Sequence, residues 1–134
     1  MITALDTNVI IDVLEPDPKF GPASRAALRT CLREGSVVGC EVVWAEVMTA
    51  FGGNREEVVA ALREIGISFL PMSERAAIHA AECWSRYRTR SRGKERIVAD
   101  FLIGGHAAVQ ADRLLTRDRG FYRDYFKALK LVVP

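Results

Sequence analysis

A chain of 134 residues has the size of one domain and can bury a real core, so residues 1–134 are expected to form a single unit. Its 49% apolar and 27% charged residues are the balance of an ordinary soluble protein; no apolar run nears the roughly 20 residues that cross a bilayer, and the start lacks a basic stretch followed by an apolar one, so export is not expected and a cytoplasmic location is. The net charge of +2 is unevenly spread: residues 1–85 carry seven bases and twelve acids, residues 86–96 six bases and one acid, and residues 97–134 six bases and four acids.

Along the chain, Ile2–Leu5 reads as a short buried strand, and Thr7 can cap a helix over Asn8–Leu14 that Glu15-Pro16-Asp17-Pro18 breaks. Pro22 can open the next helix and Gly35 can close it. Val37–Cys40 reads as a second strand. Glu41–Phe51 is helical and stopped by Gly52-Gly53, and Arg55–Ile65 is helical and stopped by Gly66. Ile67–Leu70 is a third strand, and Ser73 caps a long helix from Glu74 to about Arg90. A further helix over Glu95–Ala111 precedes strands at Leu114–Thr116 and Leu131–Val133. Alternation of this kind predicts an α/β/α sandwich around a mostly parallel sheet of about five strands.

Four acids stand where folding alone would not put them. Asp6 follows the apolar strand Ile2–Leu5, Glu46 lies within Val42–Met48, Asp100 interrupts Ile97–Ile103, and Asp118 closely follows Leu114-Leu115-Thr116. A carboxylate on a buried face costs a few kcal/mol unless something pairs with it, and no Lys or Arg has a local claim on Asp6 or Glu46. In open α/β sheets ligands bind beyond the carboxyl ends of the strands, where Asp6 and Asp118 fall. Glu46 shares a helix face with Val42, Val43, Thr49 and Ala50, and Asp100 with Ile97, Ile103 and Gly104, so both are expected to point inward. Singly, each acid could be a cap, an ion-pair member or, for Asp118, a turn former; together they suggest convergence on a shared cation.

The basic stretch holding Arg86, Arg88, Arg90, Arg92, Lys94 and Arg96 lies just before Asp100. It is either a polyanion-binding segment or a solvated helix end and loop. Cys31, Cys40 and Cys83 have no CxxC spacing and read as buried thiols in a reducing compartment. His79 and His106 read as structural or solvent-facing. Trp44, Trp84, Phe121, Tyr122, Tyr125 and Phe126 read as core or dimer contacts, and Asp12 as a surface residue sooner than a member of the acidic pocket.

Leu5-Asp6-Thr7-Asn8-Val9-Ile10-Ile11-Asp12 resembles the opening strand and turn of PIN-domain nucleases. Ala45-Glu46-Val47, the block from Ala99-Asp100 to His106-Ala107, and the block from Leu115-Thr116 to Phe121-Tyr122 match the later family blocks in order, so the similarity spans essentially the whole chain. The compact form is similar to VapC, the toxin of VapBC toxin–antitoxin pairs. Gly104-Gly105 departs from the usual single glycine and small residue.

The resemblance implies a metal-dependent endoribonuclease. It implies Asp6, Asp100 and Asp118 as metal ligands, with Glu46 a ligand directly or through water. Oxygen donors without histidine or thiol suit Mg²⁺ or Mn²⁺. Asn8 and Thr116 either hold the carboxylates in place or serve as cap and turn residues. The cluster from Arg86 to Arg96, with Arg117 and Arg119, would hold RNA phosphates. The resemblance also implies a homodimer and a VapB-like antitoxin, whose tail could lie in an apolar groove including Val9, Val13, Leu28 and Leu32. Two rivals stand beside it: a PIN scaffold that binds without catalysis, and a phosphatase of the haloacid dehalogenase type. The latter chemistry wants a second Asp two residues after the first, where this chain has Asn8, and it gives Glu46 no equal role. A receiver domain fits less well, lacking paired acids after strand one.

Overall fold

The computed structural model describes residues 1–90 and 98–134. Their elements run β1 (Ile2–Leu5), α1 (Thr7–Leu14), α2 (Gly21–Glu34), β2 (Ser36–Gly39), α3 (Glu41–Phe51), α4 (Arg55–Ile65), β3 (Ile67–Phe69), α5 (Glu74–Arg90), α6 (Val98–Gln110), β4 (Arg113–Leu115), α7 (Arg119–Tyr125) and β5 (Leu131–Val132). All strand pairings are parallel, in the order β3-β2-β1-β4-β5. The expected α/β/α architecture is therefore present.

That strand order fixes where a site can form. The chain steps from β1 to β2 to β3 in one direction, then returns to place β4 on the other side of β1. Right-handed crossovers put α1–α4 on one face and α5–α7 on the other. The direction of winding reverses between β1 and β4, which opens a crevice at their carboxyl ends. The two strands are in register from Thr3 opposite Arg113 to Leu5 opposite Leu115. The Asp6 amide continues the ladder by donating to the Leu115 carbonyl at 3.0 Å.

The strands are buried on both faces, as parallel strands between helical layers must be. Leu5, Val37, Leu114 and Leu115 are almost wholly buried, and Val9, Val43, Val47, Leu62 and Phe101 pack on them from the helices. Cys31, Cys40 and Cys83 are free and buried, as expected. Among the described residues no helix is long and apolar enough to cross a membrane.

Several boundaries differ from the sequence-based expectation. Asp6, not Thr7, is the N-cap of α1, and its side chain makes no cap bond. β2 and β4 each begin one residue earlier than expected, and β3 and β5 end one residue earlier. The helix α7 was not anticipated at all. The expected start of α6, at Glu95, lies outside the described residues.

Candidate active site

Asp6 sits at the crevice because β1 ends there. It is buried, with 6% of its surface exposed. The Thr116 hydroxyl donates to Asp6 Oδ2 at 2.7 Å, and the Asn8 side-chain amide reaches the same oxygen at 3.3 Å. Thr116 in turn accepts from the Asp118 backbone amide at 2.9 Å. One hydroxyl thus ties the carboxylate after β1 to the residue that opens α7. Asn8 also joins the two segments, accepting from the Arg117 amide at 3.4 Å.

Glu46 reaches the same place from α3. Its Oε1 accepts from the Thr7 hydroxyl at 2.6 Å. Thr7, read from sequence as a cap, uses its hydroxyl to hold an acid from another helix. Glu46 and Asp100 are half-buried rather than fully inward. They stand on α3 and α6, two helices that meet; of the face assigned to Asp100, Ile97 lies outside the described residues.

The electrostatics tie the four acids together. Burial pushes the Asp6 carboxyl above its ordinary range; the Thr116 hydroxyl, the Thr7 amide and the Tyr122 hydroxyl oppose this, and the charge of Glu46 adds to it. Tyr122, on α7, is completely buried. Burial pushes its phenol well above the ordinary range, and the charges of Asp6, Asp100 and Asp118 push it further, so it stays neutral. The hydroxyl approaches Asp6 without the alignment of a full hydrogen bond. Sequence reading placed Tyr122 correctly in the core but missed that its polar end faces the acids. Its position four residues after Asp118, on the same helix face, was the available signal.

The groups able to hold an ion here are the carboxylate oxygens of the four acids, the donor type that Mg²⁺ and Mn²⁺ prefer. His106 is buried elsewhere, against Leu70 and Glu41. Among the described residues no three His, Cys, Asp or Glu side chains are gathered tightly enough to hold an ion as they stand. Like charges repel, and Asp6 and Glu46 turn oxygens to Thr116 and Thr7 instead.

One expectation about a charged residue needs correction. Asp12 is not on the surface; it is 4% exposed. It is gripped by Arg117, Nε to Oδ2 at 2.7 Å and Nη2 to Oδ1 at 3.2 Å, and it accepts from the Ser24 hydroxyl at 2.7 Å. The pairing spans 105 residues of sequence, so local reading could not find it. Arg117 is consequently occupied within the fold. Of the other bases expected to meet RNA, Arg86 and Arg119 are exposed. Arg86 donates to the Cys83 sulfur at 3.1 Å, and Arg88 lies over the Trp84 ring. The Arg90 side chain, Arg92, Lys94 and Arg96 lie outside the described residues.

The expected antitoxin groove is also corrected in part. Val9 and Leu28 are core residues, 0% and 2% exposed. An open, mostly apolar hollow of about 430 Å³ lies beside Glu46, lined by Thr7, Ile11, Ala45, Glu46, Thr49 and Ala50.

Residues 3–127 match the model of the PIN domain. The chain belongs to the PIN-domain family. Solved structures agree on the fold. This PIN domain is similar to a chain of the VapBC2 structure from Rickettsia felis bound to a DNA fragment from its promoter, with 18% identity, a TM-score of 0.77, and 99% and 98% of the two chains covered. It is similar to a chain of the FitAcB structure from Neisseria gonorrhoeae, at 28% identity, a TM-score of 0.68, and 98% and 96% coverage. It also resembles VapC20 of Mycobacterium tuberculosis, described as a sarcin-ricin loop cleaving toxin, at 12% identity, a TM-score of 0.57, and 84% and 86% coverage. No curated protein matches the sequence.

Proposed function

We propose that this PIN domain is a VapC-like toxin, a Mg²⁺- or Mn²⁺-dependent endoribonuclease that hydrolyses RNA phosphodiester bonds and is silenced by a VapB-like antitoxin. One observation carries the reading: the Thr116 hydroxyl ties Asp6 to the Asp118 backbone, the Thr7 hydroxyl beside them holds Glu46, and the charges of Asp6, Asp100 and Asp118 all bear on the buried Tyr122 phenol. A fold does not bring four acids from four segments to one buried crevice for stability, since each added charge costs energy there.

Asp6, Asp100 and Asp118 would hold the ion through carboxylate oxygens, with Glu46 joining directly or through a water. Thr116 fixes one oxygen of Asp6 and the backbone of Asp118, and Asn8 braces the same oxygen, so the two acids keep a constant spacing. A bound divalent ion would supply Lewis acidity at the phosphate and acidify an attacking water. In-line attack would leave a 5′-phosphate and a 3′-hydroxyl. Arg86 and Arg119, with the basic stretch through Arg96, would position the RNA backbone without reading its sequence. The hollow beside Glu46 is a fitting seat for an antitoxin segment, being apolar along its walls and next to the acids. A homodimer acting in the cytoplasm completes the proposal.

Cleavage of a mixed RNA pool by antitoxin-free protein tests it. Cuts are expected with Mn²⁺ or Mg²⁺, none with EDTA, and a loss of at least 100-fold in Asp6→Asn and Asp100→Asn. Cutting that persists in EDTA, or in both variants, would overturn the assignment. Absence of cutting by the wild type under every metal would favour the binding scaffold.

A further inference from the structure

Arg117 lies between the two residues that organise the crevice. Thr116 bonds Asp6 and Asp118, while the Arg117 side chain runs into a socket built by α1, α2 and the loop between them. Asp12 receives it in a two-pronged ion pair at 2.7 and 3.2 Å. The Ser24 hydroxyl holds the same Asp12 oxygen at 2.7 Å. The Phe20 ring lies under the guanidinium, 4.0 Å from its centroid. The Arg117 backbone amide is received by Asn8, which also braces Asp6. Asp12 keeps only 5% of its side-chain surface exposed, against 31% for Arg117. A fork this well seated is strong and directional.

From this we infer that Asp12 and Arg117 are a positioning pair: they pin the segment after β4 to the segment after β1, and so fix the placement of Asp118 relative to Asp6 on which binding of a shared ion depends. The inference rests on the nuclease reading above and assigns Arg117 to the protein's own frame rather than to RNA. Without the pair, only the Thr116 hydroxyl and the Asn8 acceptor would join the two segments, and the placement of Asp118 relative to Asp6 would be less tightly fixed. Charge repulsion between the acids would then widen their separation in the ion-free protein.

Mn²⁺ binding without RNA, followed by water-proton relaxation, tests the pair. Arg117→Lys keeps the charge but loses the fork, and Asp12→Asn keeps the shape but loses the charge. Each is expected to weaken Mn²⁺ binding by about 10-fold or more, with KM for RNA unchanged in Mn²⁺-saturated protein. The double variant should be no worse than the poorer single one, because both break one unit. Ser24→Ala removes a single bond to Asp12 and should weaken binding in the same direction by less; it decides the matter if the others do not fold. Wild-type Mn²⁺ affinity in all folded variants would overturn the pair's role, and so would a raised KM confined to the Arg117 variant, which would make Arg117 an RNA contact. If the wild type itself binds no Mn²⁺, the nuclease reading fails and the positioning role with it.

Discussion

Asp6 shows how a single residue can be costly to the empty protein and still be kept. Its carboxylate is buried, its pKa is raised chiefly by that burial, and Glu46 adds repulsion. The folded protein therefore holds the Asp6 proton more tightly than the unfolded chain does. Asp6→Asn removes the charge and leaves an oxygen to accept from Thr116. In metal-free protein at neutral pH this variant should melt higher than wild type by a few degrees, the shift that about 1 kcal/mol gives in a chain of this size. Calorimetry in EDTA checks it; an unchanged or lower melting temperature would mean that the acids impose no strain. The four acids were legible in the sequence because each interrupts or closely follows an apolar run. Thr7 and Tyr122 were not. Threonine before a helix and tyrosine among phenylalanines both have ordinary explanations, and only the folded arrangement turns their hydroxyls toward Glu46 and Asp6.

Among the elements, α5 and α6 pack most intimately, and α6 carries Asp100. Gly105 makes the close approach possible. A Cβ there would meet the Ala76 carbonyl oxygen at 2.6 Å and the Ala80 Cβ at 2.8 Å, while one on Gly104 would run into the Phe126 ring. The double glycine that stood out in the sequence therefore has a packing reason. Gly105→Ala gains about 1 kcal/mol of helix propensity but pushes against backbone, which cannot move aside as a side chain can. The clash should win, with a net loss of about 1–3 kcal/mol and a melting temperature lower by several degrees. A variant as stable as wild type would show that α5 can shift outward freely. Long periodic helices such as α2, α3, α4 and α5 were readable from their caps and glycine stops. α7 was not: its seven residues begin with Arg-Gly, and what holds them helical is the burial of Phe121, Tyr122 and Phe126 with Phe101 of α6. Such contacts have no local signature.

At the scale of the whole molecule, acid should act through two buried groups of opposite sign. His106 lies at 1% exposure, its Nε2 without a hydrogen-bond partner. Burial lowers its pKa, against the weaker pull of a backbone bond near Leu70 and the charge of Glu41. The folded state thus binds this proton less well than the unfolded chain, whose imidazole titrates near its ordinary value of 6.5. Stability should be indifferent to His106 above that pH and should fall as the pH drops below it. Asp6 runs the other way. Its raised pKa means that the penalty for its charge is present at neutral pH and is relieved as the pH falls through the folded pKa toward the ordinary carboxyl value of 3.8. Melting temperatures of metal-free wild type, His106→Gln and Asp6→Asn, taken from pH 8 down to pH 4, separate the two. Relative to wild type, His106→Gln should gain as the pH falls below about 6.5, whatever its offset at pH 8, whereas the advantage of Asp6→Asn should shrink as the pH falls through the raised Asp6 pKa. Parallel curves for wild type and His106→Gln would mean that His106 is protonated as readily in the folded protein as in the unfolded chain. A constant advantage for Asp6→Asn down to pH 4 would mean that the cost removed is steric rather than electrostatic. The two slopes have opposite signs, one arising beside the β3 end and the other at the β1–β4 crevice, so the two variants separate the contributions of both regions in one titration.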